Sequence, residues 1–293
     1  MRGRTQAAAL SSLFAVLSLV LPPLSYISGA IVALVTMRRG ATEGAFIAFI
    51  AVLVLAAISL FTIGNAVLAI VFGLVVWLPV LILALVLRQT ISLPMTLAVA
   101  TLICGVTVIG FHLMVGSTVE WWQNMLDKIL TEAASQPGVD VANMDVIRSA
   151  TSQYLTGLMA AAFFISMVLS LFLGRWWQSV LYNPGGFKLE FLLFRVSKVI
   201  AILGALIMIW AMFNPIPGNL ASDLSIVVSL YASVAGLALI HHWTDATNAN
   251  KAWIILLYLL LVIIAPQILV LLAILGFADA WLDMRRFYSN KAT

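Results

Sequence analysis

The few groups in this chain that could do chemistry gather at the ends of long apolar runs. His241-His242-x-x-Asp245 closes one such run. If the helix continues, His242 and Asp245 share a face at i,i+3, a spacing that a metal site could use. Two ligands are too few, since metal sites usually draw three or four from the protein. The motif therefore reads as interfacial polar residues, and no metal or cofactor is expected. Asp279 and Asp283 share a face at i,i+4, and Asp283 reaches Arg286 at i,i+3, with Arg285 alongside. Two carboxylates could serve as acid and base, but no supporting partner is visible. A cluster of ion pairs at a helix end is the plainer reading.

Other catalytic signatures are missing. The chain has no Gly-x-x-x-x-Gly-Lys-Ser/Thr phosphate loop, no His-Glu-x-x-His helix and no Gly-x-Ser-x-Gly elbow. ATP-driven work would need another subunit, and the sequence leans away from an enzyme. The single Cys104 lies mid-span, which excludes an intrachain disulfide and fits a small packing residue. Ser225, Ser229 and Ser233 recur at i,i+4, and Ala201 and Ala205 form a small-x-x-x-small pair. Such residues let helices approach closely, or line a polar cavity.

Two segments suggest binding. Residues 175–195 read RWWQSVLYNPGGFKLEFLLFR. Cations there face headgroups, aromatic residues wedge into the interface, and Asn183-Pro-Gly-Gly186 turns the chain because Pro fixes φ and Gly permits positive φ. A membrane-hugging connector explains this composition. A docking surface for a partner protein is the functional alternative, carried by Arg175, Trp176, Asn183, Gly185, Gly186 and Glu190. Residues 116–152 hold five acids against two cations, with Trp122, Leu126, Ile129 and Leu130 at helical spacing. Gln136-Pro-Gly138 should split this segment into two short amphipathic helices. They would rest on the outer surface, or cover a pocket where Trp121, Trp122 and Tyr231 contact a ligand.

The elements that position these residues are membrane spans. Of 293 residues 63% are hydrophobic and 9% charged, and mean hydropathy is +1.13. A soluble domain carries about 25% charge. The expected fold is an all-α polytopic bundle forming a single membrane domain over 1–293. Six clear spans are expected, at 44–64, 66–87, 95–115, 154–174, 196–213 and 222–242. Two terminal runs, 7–37 and 252–278, are broken by Pro22-Pro23 and Pro266, giving eight to ten membrane segments in all. Ser28-Gly-Ala30 resembles a signal-peptide cleavage site, but the apolar run resumes at Ile31, so the segment is read as retained.

Charge discriminates between single crossings and hairpins at the two ends. If both broken runs cross once, the fifteen Lys and Arg divide eight to seven between the two sides. If both are hairpins, they divide thirteen to two, with only Lys128 and Arg148 outside. Cations collect on the cytoplasmic side, so hairpins and cytoplasmic termini are expected. The net charge of +4 then reflects cytoplasmic loops, and no nucleic-acid partner is implied. No charged residue lies deep in the six spans. His112 and Asp223 stand near outer ends, which argues against an ion-coupled carrier.

Met37-Arg-Arg-Gly40, Trp176-Trp-Gln178, Asn183-Pro-Gly-Gly-Phe187 with Glu190-Phe191, and Gly276-x-x-Asp279-x-Trp281 resemble the YybS-like family of uncharacterised bacterial membrane proteins. That family is in turn distantly similar to substrate-binding (S) components of energy-coupling-factor transporters. The likeness to S components lies mainly in residues 7–64, where Leu21-Pro-Pro-Leu24 joins two short helices before Arg-Arg-Gly-Ala-Thr-Glu-Gly44. This chain is longer, has a larger outer loop, and carries no recognisable vitamin-binding signature. The resemblance implies a subunit of the bacterial inner membrane that binds or transports a small, lipophilic molecule together with a cytoplasmic or membrane partner. The alternatives are a non-transporting envelope scaffold and a lipid-headgroup enzyme using Asp279, Asp283 and the two histidines.

Overall fold

The computed structural model describes residues 3–134 and 144–285. Among them are α1 (Arg4–Leu17), α2 (Leu24–Arg39), α3 (Ala41–Ile63), α4 (Val67–Phe72), α5 (Leu78–Thr90), α6 (Leu93–Val115) and α7 (Thr118–Ala134). There follow α8 (Met144–Ser152), α9 (Leu155–Tyr182), α10 (Gly186–Leu192), α11 (Lys198–Phe213), α12 (Leu220–Ala246), α13 (Ala252–Ile263) and α14 (Ala265–Leu282). No strand occurs among the described residues. A π-helical turn, Gly73–Trp77, joins α4 to α5 into one long rod.

Six helices are long and apolar enough to cross a membrane: Ala41–Thr62, Val67–Thr90, Leu93–Val115, Leu155–Tyr182, Leu220–Ala246 and Ala265–Leu282. Five coincide with expected spans. The expected span at 196–213 is a shorter apolar helix of 16 residues, begun at Lys198 by the Ser197 cap and ended by Asn214-Pro-Ile-Pro217. Its place among the long helices is taken by α14. The 116–152 segment forms the two helices expected, α7 and α8, while the break at 136–138 lies outside the described residues.

The chain divides into two compact units, Met1–Ala100 with Phe163–Arg195, and Thr101–Ala162 with Val196–Thr293. In the first unit the Pro-broken run is a helical hairpin. Pro23 has no N–H to continue a helix, and the turn closes through Leu21 N to Leu17 O at 3.0 Å and Leu24 N to Leu21 O at 2.9 Å. The two arms lock through buried serines. Ser28 Oγ donates to Ser11 O at 2.8 Å, and the two hydroxyls lie 3.0 Å apart. The Trp77 indole donates to Ser28 Oγ at 3.0 Å, so a tryptophan placed inside a span finds its polar partner on the hairpin. Around them pack Ala15, Ile31, Ile47 and Leu55. Trp77→Phe keeps the ring but loses the bond. It should cost about 1 kcal/mol and lower the melting temperature in detergent by roughly 2–4 °C.

In the second unit α12 and α14 pack antiparallel with their backbones touching. A Cβ on Gly236 would strike the Leu272 carbonyl oxygen, and one on Gly276 the Ala232 carbonyl oxygen. Gly204 brings α11 against the same pair, beside Val228 and Phe277. Extending this register sets the start of α14 opposite the C-terminal end of α12, and Asp279 level with Ser229.

The second terminal run breaks at Ile264 because Pro266 cannot supply a helical N–H. Its pieces are unequal. Ala249 N bonds Thr244 O at 3.1 Å, so α13 starts at the C-terminal end of α12, and it finishes at that same end where α14 begins. No residue of α13 is buried. Of the two pieces, α14 alone runs the length of the unit.

Candidate functional site

The N-terminal end of α12 carries the arrangement with the most chemical potential. His112 sits in the last turn of α6 and Asp223 in the first turn of α12. Their side chains meet, Nε2 to Oδ2, at 2.8 Å. Asp223 is 1% exposed. The Gly157 backbone also bonds it, and a Cβ at Gly157 would come within 2.9 Å of Oδ1. The absent side chain thus lets α9 close over the carboxylate. An ionisable pair buried in an apolar bundle is costly to keep. It can hold or exchange a proton, or anchor a polar group of a ligand.

Aromatic residues gather beside it. Phe111 packs edge-on to Trp121 at 5.1 Å, and Trp121 to Trp122 at 4.8 Å. Trp122 Nε1 donates to Thr156 Oγ1 at 2.9 Å, and Thr118 Oγ1 to Gly218 O at 3.0 Å. These bonds tie the first turns of α7 to α9 and to the loop before α12. Trp121 and Trp122 are therefore together, while Tyr231 is fully buried on α12, eight residues and about 12 Å along the axis from Asp223. Sequence reasoning missed the pair as a site. The signal was present: His112 ends an outgoing span and Asp223 begins a returning one, so alternation places both on one face. Nearness to a span end did not show that the neighbouring helices bury the carboxylate.

At the other residues singled out, the outcome is mostly structural. Asp279 is fully buried and accepts from Arg285 Nε at 3.0 Å. Asp283 ends α14 in the left-handed conformation, φ 48°, and Arg286 lies outside the described residues. His241 Nε2 meets the Tyr258 hydroxyl at 3.2 Å. Among the described residues no three His, Cys, Asp or Glu come together as a metal site.

The residues expected to dock a partner lie in the first unit, where α9 runs on to Tyr182 before the turn. Arg175 Nε donates to Glu190 Oε2 at 2.9 Å, its Nη2 to Oε1, and its Nη1 to Gln178 Oε1 at 2.7 Å. The fork joins α9 to α10 and leaves Arg175 8% exposed. Ser179 Oγ donates to Asn183 O at 2.9 Å and accepts from Phe187 N at 3.2 Å. Gly185 takes φ +85°, which a side chain would strain. Arg175, Asn183, Gly185, Gly186 and Glu190 thus build the turn, and Trp176, 50% exposed, is the large side chain presented outward. Arg175→Gln should release α10 at a cost of about 1–3 kcal/mol. Limited proteolysis between 183 and 195 should accelerate accordingly.

Arg88 Nη1 donates to the carbonyls of Thr36 and Met37 at 3.2 and 3.3 Å, closing the C-terminal end of α2. Arg4 pairs with Glu43. Arg4, Arg38, Arg39, Arg88 and Arg175 therefore share one end of this unit.

The family model described as "Predicted membrane protein (DUF2232)" matches residues 9–280, and the chain belongs to that family. No curated protein and no solved structure matches it.

Proposed function

Starting from a chain of this predicted-membrane-protein family, we propose a membrane-embedded binding or transport-type subunit for a small, lipophilic molecule. The buried His112–Asp223 pair, with Phe111 next to His112 in the chain and packed against Trp121 and Trp122, is the observation that carries this reading. It joins an apolar aromatic surface to a buried polar anchor, the combination that orients a small ligand. The YybS-like and S-component resemblance points the same way, with the first hairpin as its counterpart here. That Asp279 is buried and held by Arg285 weighs against the lipid-headgroup enzyme.

The pair faces outward and the arginine-rich end of the first unit faces the cytoplasm. Sidedness is argued from charge. With α1–α2 as a hairpin and α14 as a single crossing, the inner side receives Arg2, Arg4, Arg38, Arg39, Arg88, Arg175, Lys188, Arg195, Lys198 and Lys251. That is ten of the fifteen cations, a clear inward bias. The N-terminus is then cytoplasmic and the C-terminus external, which revises the expectation for the C-terminus. Trp176 and the 183–190 turn would meet the partner protein at the cytoplasmic membrane surface.

Mass spectrometry of the gently solubilised protein tests the reading. A retained small molecule, with an ATPase or another membrane subunit copurifying, is expected. Robust capture of a protein partner with no small molecule retained would favour the scaffold instead.

A further inference from the structure

The arginine-rich end of the first unit contains a cleft of about 260 Å³ between α1, α2, α3 and α9. Its polar wall is Arg4, Arg38, Arg39 and Glu43. Three guanidinium groups face one carboxylate, and that carboxylate is already engaged by Arg4 through Oε1. The Arg38 guanidinium lies 3.7 Å over the Tyr182 ring, which orients it without neutralising it. Arg39 is exposed and makes no ion pair among the described residues. The cleft therefore holds two uncompensated positive charges. The second carboxylate oxygen of Glu43, Oε2, is shielded from water, so the arginines supply the accessible polar surface of the cleft.

Opposite the arginines the wall is apolar, formed by Ala7, Leu34, Ile47 and Trp177. Beyond it α3 continues with Phe46, Phe49 and Leu53 exposed, as a lipid-facing helix does. The volume suits a headgroup and not an entire drug-sized ligand. We propose that this cleft binds the headgroup phosphate of an anionic phospholipid, such as phosphatidylglycerol, with its acyl chains lying along α3. Arg38 and Arg39 take the phosphodiester, for which a planar guanidinium fork is well suited. A choline headgroup is disfavoured because its cation meets the arginines. This site is separate from the His112–Asp223 pair and does not depend on its role.

The test is native mass spectrometry of the full chain in detergent, titrated with phosphatidylglycerol, phosphatidylmethanol or phosphatidylcholine. Phosphatidylglycerol should be retained about tenfold over phosphatidylcholine, the effect of one charge-assisted contact. Phosphatidylmethanol, an anionic diester without the hydroxyl, should be retained like phosphatidylglycerol. Arg38→Gln with Arg39→Gln should erase the preference, and Lys251→Gln, a charge lost elsewhere, should leave it. Arg39→Gln alone, at an exposed side chain, should reduce it severalfold and serves if the double variant fails to fold. Equal retention of phosphatidylglycerol and phosphatidylcholine, or a preference untouched by Arg39→Gln, overturns the site. Displacement of the lipid by millimolar inorganic phosphate would overturn the lipid assignment in favour of a free anion. Phosphatidylmethanol retained no better than phosphatidylcholine would overturn recognition of the phosphodiester charge.

Discussion

Gly236→Ala should drive α14 off α12 and abolish cooperative unfolding of the second unit. The added methyl would occupy the position of the Leu272 carbonyl oxygen, and Gly276 makes the reciprocal approach to Ala232. Both obstacles are backbone, so no side-chain rotation can make room. Overpacking a core typically costs 1–3 kcal/mol when side chains can yield. Here helix axes must separate, and a loss of about 3 kcal/mol or more is expected. Thermal unfolding in detergent measures it. Gly110→Ala is the matched comparison, since nothing lies within 4 Å of its added carbon. That change should be neutral or slightly stabilising through helix propensity. Equal melting temperatures for the two variants would mean that the helices do not touch as described.

Asp223→Ala is the second large effect. Removing the carboxylate leaves the His112 imidazole and the Gly157 backbone without their hydrogen-bond partner, at about 1–3 kcal/mol for each buried group left unmatched. His112, whose side chain is 12% exposed with Asp223 in place, would then lack its carboxylate partner. Taking both members away, as Asp223→Ala with His112→Ala, should recover part of the loss, because no imidazole is then left unmatched. Chemical unfolding of the two single variants and the double variant measures this coupling. A ligand anchored on the pair should be lost from all three, whatever their stability. Separating stability from retention in this way distinguishes a binding anchor from a purely structural ion pair.

Local rules carried the reading of the first hairpin. Pro22-Pro23 had to interrupt the helix, and the charge count favoured folding back; the antiparallel Ser11–Ser28 contact follows from both. Trp77 was an anomaly in the sequence, an indole inside a span, and its resolution lay 49 residues away on Ser28. Pro266 likewise marked the break at Ile264. What α13 does next depends on the register of α12 against α14, which a pair of glycines permits but does not announce. The His112–Asp223 pair spans 111 residues. Topology put both on one side, yet only packing by α6 and α9 makes the carboxylate buried. In the 175–195 stretch, the turn at Asn183–Gly186 was legible from Pro and Gly. That Arg175 and Glu190 engage each other depends on α9 running past residue 174 and α10 folding back.

Sidedness is the claim on which the outward site and the inward docking surface both rest. The single native cysteine is buried, so replacing it with alanine leaves a background for labelling introduced thiols with a membrane-impermeant maleimide. Cysteines at Thr42 and Asn248 should react only once the membrane is permeabilised, and cysteines at Thr131 and Asn214 should react in intact cells. The reverse pattern would contradict the account, as would labelling of all four from one side.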